Sequence, residues 1–266
     1  MREIMALLHI KWRTASSYRL QLVLSFANLL VSLVPLYFVG RALNPFMADV
    51  IQGEGGEFFG FLVIGTVAVT FVGMAVQSLP NEIGSGLGTG TFESMLATPV
   101  RLPVLLAGLT SYDLLWALAR GAALLAGGWA LGAGVDAAGL GAFLLILVLI
   151  VLAYLPIGML AAALMLLFRT SGELPRVTLY ASVLVGGVYY PSSVIPESIR
   201  GLSAAMPLTY GLRAARRVVL QGATLADVSS DLLVLGVFAL VLGVAGITAL
   251  QAALRVVRRT GGLAHY

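Results

Sequence analysis

From Ala137 to Phe168 the sequence reads AAGLGAFLLILVLIVLAYLPIGMLAAALMLLF, without one charged side chain. At 1.5 Å per residue, this run exceeds the roughly 20 helical residues that cross a hydrocarbon core of about 30 Å. A backbone in lipid must satisfy its own N–H and C=O groups, so a helix is the expected form, and the run lacks the two-residue alternation of a barrel strand. Working outward, four more uncharged runs qualify: Leu20 to Gly40, Phe58 to Leu79, Val177 to Pro196 and Leu232 to Leu254. A sixth, Leu102 to Val135, is interrupted by Asp113 and Arg120. The predicted fold class is an all-α membrane protein with six transmembrane helices.

Composition agrees. Of 266 residues, 59% are hydrophobic and 11% charged, against about 25% charged in a soluble domain. Mean hydropathy is +0.99. With no Cys and with His9 and His265 near the ends, thiolate sites, Cys nucleophiles and most imidazole chemistry are excluded from the spans, and no metal site is expected. The basic residues mostly flank apolar runs, which fits membrane orientation better than nucleic-acid binding. With both termini cytoplasmic, the inner side holds Arg2, Lys11, Arg13, Arg19, Arg101, Arg169, Arg176, Arg255, Arg258 and Arg259. The outer side then holds Arg41, Arg200, Arg213, Arg216 and Arg217, the bias expected of cytoplasmic loops. The first apolar run is longer than the 7–15-residue core of a cleaved signal peptide and is expected to be retained.

The connections carry further readings. Ile4, Leu7 and Leu8 fall near one helical face, with Lys11 and Arg13 placed for headgroups, so residues 1–19 read as an interfacial helix or as a plain positive anchor. Glycines at 84, 86, 88 and 90 form neither a dinucleotide fingerprint nor a Walker loop, and Lys11 is the only Lys. A short helix reads from Thr91: Thr91 caps it, Glu93 suits its first turn, and Pro99 disfavours helix at Thr98. It offers Phe92, Met95 and Leu96 as knobs, or simply covers the bundle. Gly186-Gly187 and Tyr189-Tyr190-Pro191 break the fifth run before Pro196. Ile195, Ile199 and Leu202 then share a predicted face. Arg213, Arg216 and Arg217 form a basic stripe at i, i+3 and i+4, expected to be solvated or to touch lipid phosphate. Thr224 and Asp227 cap the turn into the last span.

In order and spacing, Gly90-Thr-Phe-Glu93, Leu96-Ala-Thr98-Pro99-Val100, Val188-Tyr-Tyr-Pro191, Ile195-Pro196 and Met206-Pro207-Leu-Thr-Tyr210 to Arg213 resemble the permease subunits of type-2 ABC exporters. The resemblance spans essentially the whole chain. It implies an interfacial helix at 1–19, a permease domain at 20–266, a coupling helix at about 91–98 and outer re-entrant lid helices at about 192–222. It implies a second permease copy, expected as a homodimer, and two copies of a separate ATPase that holds ATP and Mg. This chain would carry no cofactor and would not itself be an enzyme. Glu93, with Thr91, Phe92, Met95, Leu96, Thr98 and Pro99, becomes the coupling surface to that ATPase. Pro191, Pro196, Pro207, Tyr210 and Arg213 become lid residues. The implied substrates range over lipophilic drugs, lipid-linked molecules and polysaccharides, moved across the plasma (inner) membrane.

A weakly polar route is expected from hydroxyl and amide residues one turn apart: Asn28 and Ser32, Thr66 and Thr70, Thr178 and Ser182. Phe71, Met74 and Tyr189 could add a lipophilic surface. The same hydroxyls commonly bond an i−4 carbonyl or hold helices together. Asp113 and Arg120 should avoid lipid, where a charge costs about 2.5–3.5 kcal/mol or more. Being nearly two turns apart, each is expected to find a partner on another helix. The alternative function, a proton- or ion-coupled secondary transporter, would need more ionisable groups at the midplane or inverted repeats. An intramembrane enzyme would need HExxH, GxSxG or a nucleophile–base pair, none of which occurs in the spans.

Overall fold

The structure, a computed structural model, describes residues 19–55, 57–90, 102–168, 173–191 and 194–260. Among these residues the secondary structure is helical without strands. The α-helices are α1 (Arg19–Met47), α2 (Phe58–Gly88), α3 (Leu102–Ala130), α4 (Leu140–Phe168), α5 (Glu173–Val185), α6 (Glu197–Ala204), α7 (Pro207–Gln221) and α8 (Ser229–Thr260). Short 3₁₀ turns at Gln52–Glu54 and Ala137–Gly139 precede α2 and α4.

Four stretches are long and apolar enough to cross a membrane: Val23–Met47, Phe58–Gly88, Ala137–Phe168 and Ser229–Val257. The third helix has the length, 29 residues, and carries Asp113 and Arg120. The fifth run departs from expectation. Its helix, α5, has 13 residues, about 20 Å, and alone falls short of a 30 Å core. It stops at Val185 because the chain turns at Gly187, whose φ of +78° is costly for any residue with a Cβ.

The most enclosed span is α2. In its most apolar window 72% of the residues are buried, against 11% in α1 and in α8. Thus α2 is the axis of the bundle. The outer flanks of α1 (Leu20, Val23, Phe38, Phe46) and α8 (Leu233, Val237, Leu240, Val241) remain exposed and apolar, as suits surfaces facing lipid or another helix. Close approach to α4 depends on small residues: a Cβ on Gly158 would lie 2.7 Å from the Ala75 carbonyl oxygen.

The glycine-rich segment is not a loop through its first part. Residues 81–88 continue α2, and the turn comes only at Thr89 and Gly90 (φ +70°). Gly84 is explained by packing, since a Cβ there would meet Met165 Cε at 2.8 Å. The expected interfacial helix (residues 1–18) and the coupling helix, with Thr91, Phe92, Glu93, Met95, Leu96, Thr98 and Pro99, lie outside the described residues.

Past the break, α6 and α7 fill the expected lid region. One face of α7 is fully enclosed, with Leu208, Leu212, Ala215 and Val219 buried against α4 and α8, so α7 dips into the bundle. Ile195 and Leu202 do not share a buried face: Ile195 precedes α6 and is buried, whereas Leu202 is 53% exposed. Gly222, in the left-handed region, ends α7. Asp227 then accepts hydrogen bonds from the Thr224 N–H (2.8 Å) and Oγ1 (2.7 Å), closing the turn before α8. These bonds favour the charged form and pull the Asp227 pKa below the usual carboxylate range.

Candidate functional site

Along one face of α2, Thr70, Gly73, Gln77 and Asn81 recur at helical spacing, with Ser78 and Glu82 beside them. Opposite, α3 presents Asp113, Trp116 and Arg120, and α1 supplies Leu29. Together these residues line an open cavity of about 520 Å³ in the half of the bundle nearest the α2–α3 connection.

Its charged groups are held across helices. Ser78 Oγ on α2 donates to Asp113 Oδ2 on α3. Arg120 Nη2 donates to Ser25 Oγ on α1 at 2.9 Å. The Arg120 guanidinium lies 5.2 Å from the Trp116 ring centroid, and Phe26 of α1 packs edge-on to that ring. Asp113 and Arg120 therefore each find a partner on a different helix, and both face the cavity rather than lipid.

A second, apolar cavity of about 370 Å³ lies across the α2–α3 contact, against α4. Phe71, Leu114, Leu118, Leu147 and Val151 line it, and Met74 borders both cavities.

The residues expected along the route are dispersed. Thr70 lines the polar cavity and Phe71 the apolar one. Thr66 Oγ1 donates to the Leu62 carbonyl at 2.8 Å, and Thr70 Oγ1 to the Thr66 carbonyl at 3.0 Å, the back-bonding common for helical threonine. Ser32 does likewise to Leu29, and both Asn28 and Ser32 are exposed on α1. Thr178 is half-buried. Ser182 is fully buried and accepts the Tyr154 hydroxyl at 3.0 Å, while Tyr189 is 44% exposed.

The arginines of α7 tie it to neighbouring elements. Of the expected solvated stripe, Arg216 is buried, while Arg213 stays 43% exposed and Arg217 half-buried. Arg213 Nε donates to both carboxylate oxygens of Asp231 on α8, at 3.1 and 3.0 Å, and its guanidinium lies 5.5 Å from the Tyr210 ring. Arg217 donates to the Asp227 carbonyl at 3.2 Å. Arg216, with 2% of its surface exposed, reaches Glu54 Oε2 and the Val188 carbonyl, each at 2.9 Å, and stacks 3.3 Å from the Phe61 ring centroid. One side chain thus joins α7 to the turn before α2, to α2 and to the break after α5. Tyr210 Oη donates to the Ala204 carbonyl, tying α7 to α6. Pro191 and Pro207 are buried, whereas Pro196 is exposed.

Sequence reasoning missed Gln77, Ser78, Asn81 and Glu82. By hydropathy the second apolar run ends at Leu79, so Asn81 and Glu82 read as loop. The available signal was the polar series Thr66, Thr70, Gln77 and Asn81, which keeps helical period through Pro80.

No curated protein matches the chain. A family model described as ABC-2 type transporter matches residues 2–220, most of the sequence and every element lining the polar cavity. With a helical bundle of membrane-spanning length, a charged cavity between its helices and this match, the chain belongs to the ABC-2 type transporter family.

Proposed function

We propose that the chain is the membrane-spanning permease subunit of an ATP-driven exporter. In this reading it crosses the plasma (inner) membrane six times, with both termini cytoplasmic, and the broken α5 is the fifth crossing. Two permease copies form a homodimer beneath which two copies of a separate ATPase hydrolyse ATP. The substrate is a lipophilic or lipid-linked molecule.

The observation that carries this reading is the polar cavity between α1, α2 and α3, in a chain of ABC-2 membrane type whose sequence has no nucleotide motif. The energy for moving cargo must then arrive by contact. α2, a continuous helix from Phe58 to Gly88, leads from this cavity toward residues 91–98, where the ATPase would grip Phe92, Glu93, Met95 and Leu96. Asn28, Ser32, Thr66, Thr178, Ser182 and Tyr189 remain proposed pathway residues, with α6 and α7 as the outer lid.

The test is co-reconstitution with the cognate ATPase in vesicles and measurement of ATP-dependent movement of lipids, drugs and glycans. Transport by the permease alone on a proton gradient would refute it.

A further inference from the structure

We propose that the α1–α2–α3 cavity receives the head of a cationic amphiphile, an amine or quaternary ammonium bearing a hydrocarbon tail, with Asp113 as its principal counter-charge. This deepens the permease reading and rests on it.

The argument begins with how the cavity's charges are already used. Arg120 is engaged through Nη2 by Ser25 and across its face by Trp116. Asp113 takes its hydrogen bond from the neutral hydroxyl of Ser78, and among the described residues no cation lies within ion-pair distance of it. The cavity therefore offers a carboxylate with no cation in contact among the described residues, its charge offset at longer range by Arg120 on the same wall. Such a group favours a cation far more than it would in water. The amides of Gln77 and Asn81 on the same wall can accept from an ammonium N–H.

Size and lining distinguish an amphiphile from a bare inorganic cation. The space, about 520 Å³, falls in the range of small-molecule sites, and Leu29, Val69, Met74 and Ala117 supply apolar wall beside the acid. Met74, unbranched and adaptable, separates this space from the apolar cavity beyond and can shift to admit a tail. An anionic head is the competing outcome, because Arg120 Nε is buried without a hydrogen-bond partner among the described residues.

The protein has three tryptophans. Replacing Trp12 and Trp129 by Phe leaves Trp116 as a reporter in the cavity wall. Permease in lipid nanodiscs would be titrated with dodecyltrimethylammonium, dodecyl phosphate and neutral dodecanol, following Trp116 fluorescence. The expected result is saturable quenching by the ammonium alone, weakened roughly tenfold in Asp113→Asn, the worth of one modest charge contact, and retained in Asp113→Glu. Dodecyl phosphate binding as tightly as the ammonium, or equal quenching by all three, overturns the proposal. The comparison among probes in the Asp113 protein decides the matter even if Asp113→Asn does not fold. Adding the ATPase separates the two readings. Ammonium-selective binding without ATP-driven transport of that probe refutes the exporter. ATP-driven transport without preference for the cation refutes the pocket chemistry alone.

Discussion

Replacing Glu54 by Gln removes the counter-charge of Arg216 while leaving the shape of the site nearly unchanged. Glu54 is 14% exposed and Arg216 2%, so water can do little to compensate the stranded guanidinium. Removing one partner of a buried ion pair typically costs about 3–5 kcal/mol. The Val188 carbonyl at 2.9 Å and the Phe61 ring remain as partial compensation, which places Glu54→Gln near the lower end, about 3 kcal/mol. Arg216→Met should cost a similar amount, because it leaves a mostly buried carboxylate. The double variant, which removes both charges, should cost less than either single, since an apolar isostere of a buried pair is often close to neutral. The assay is unfolding of each of the four proteins in mixed micelles under increasing dodecyl sulfate, followed by circular dichroism, with the cycle closed as a coupling energy. Single costs below about 1 kcal/mol, or a double cost equal to their sum, would refute the claim that this pair holds α7 to the start of α2.

Gly158→Ala should destabilise the protein by about 1–3 kcal/mol, because its Cβ would sit 2.7 Å from the Ala75 carbonyl oxygen and force α2 and α4 apart; the same micelle titration measures it. Tyr154→Phe removes the hydroxyl that bonds Ser182 at 3.0 Å and takes the Leu208 N–H at 3.4 Å, leaving both buried, for a loss of about 1–3 kcal/mol; Tyr154→Phe with Ser182→Ala should lose less than the sum of the singles. Glu93→Arg should still insert and assemble yet abolish ATP-driven transport in vesicles; normal coupled transport would count against the coupling surface.

The runs that became α1, α2, α4 and α8 were legible because length and hydropathy alone decide whether a helix can satisfy its backbone in lipid. The end of α2 was not. Asn81 through Gly88 carries polar and glycine residues that read as a turn, yet α4 packs against it closely enough that Gly84 serves contact with Met165 instead of flexibility. The break after α5 could be read from Gly186-Gly187 and Pro191, because positive φ is local chemistry. The fate of the arginine stripe could not. Spacing put Arg213, Arg216 and Arg217 on one face, but their partners come from two other stretches of chain, Glu54 before α2 and Asp227 to Asp231 at the start of α8. The polar cavity needed tertiary information for the same reason: Ser78 and Asp113 are 35 residues apart, and neither alone announces a site.

The pairing of the α7 arginines also changes the electrical account of the molecule. Around that end, Arg41, Arg200, Arg213, Arg216 and Arg217 face Asp49, Glu54, Glu57, Asp136, Glu197, Asp227 and Asp231, so that side is negative on balance despite its arginines. The opposite end sets ten bases against Glu3, Glu82, Glu93 and Glu173. In the proposed orientation the bundle is a dipole lying along the resting potential, negative inside, and the field itself favours its insertion that way round. Discharging the membrane would remove that bias without touching a single contact in the fold.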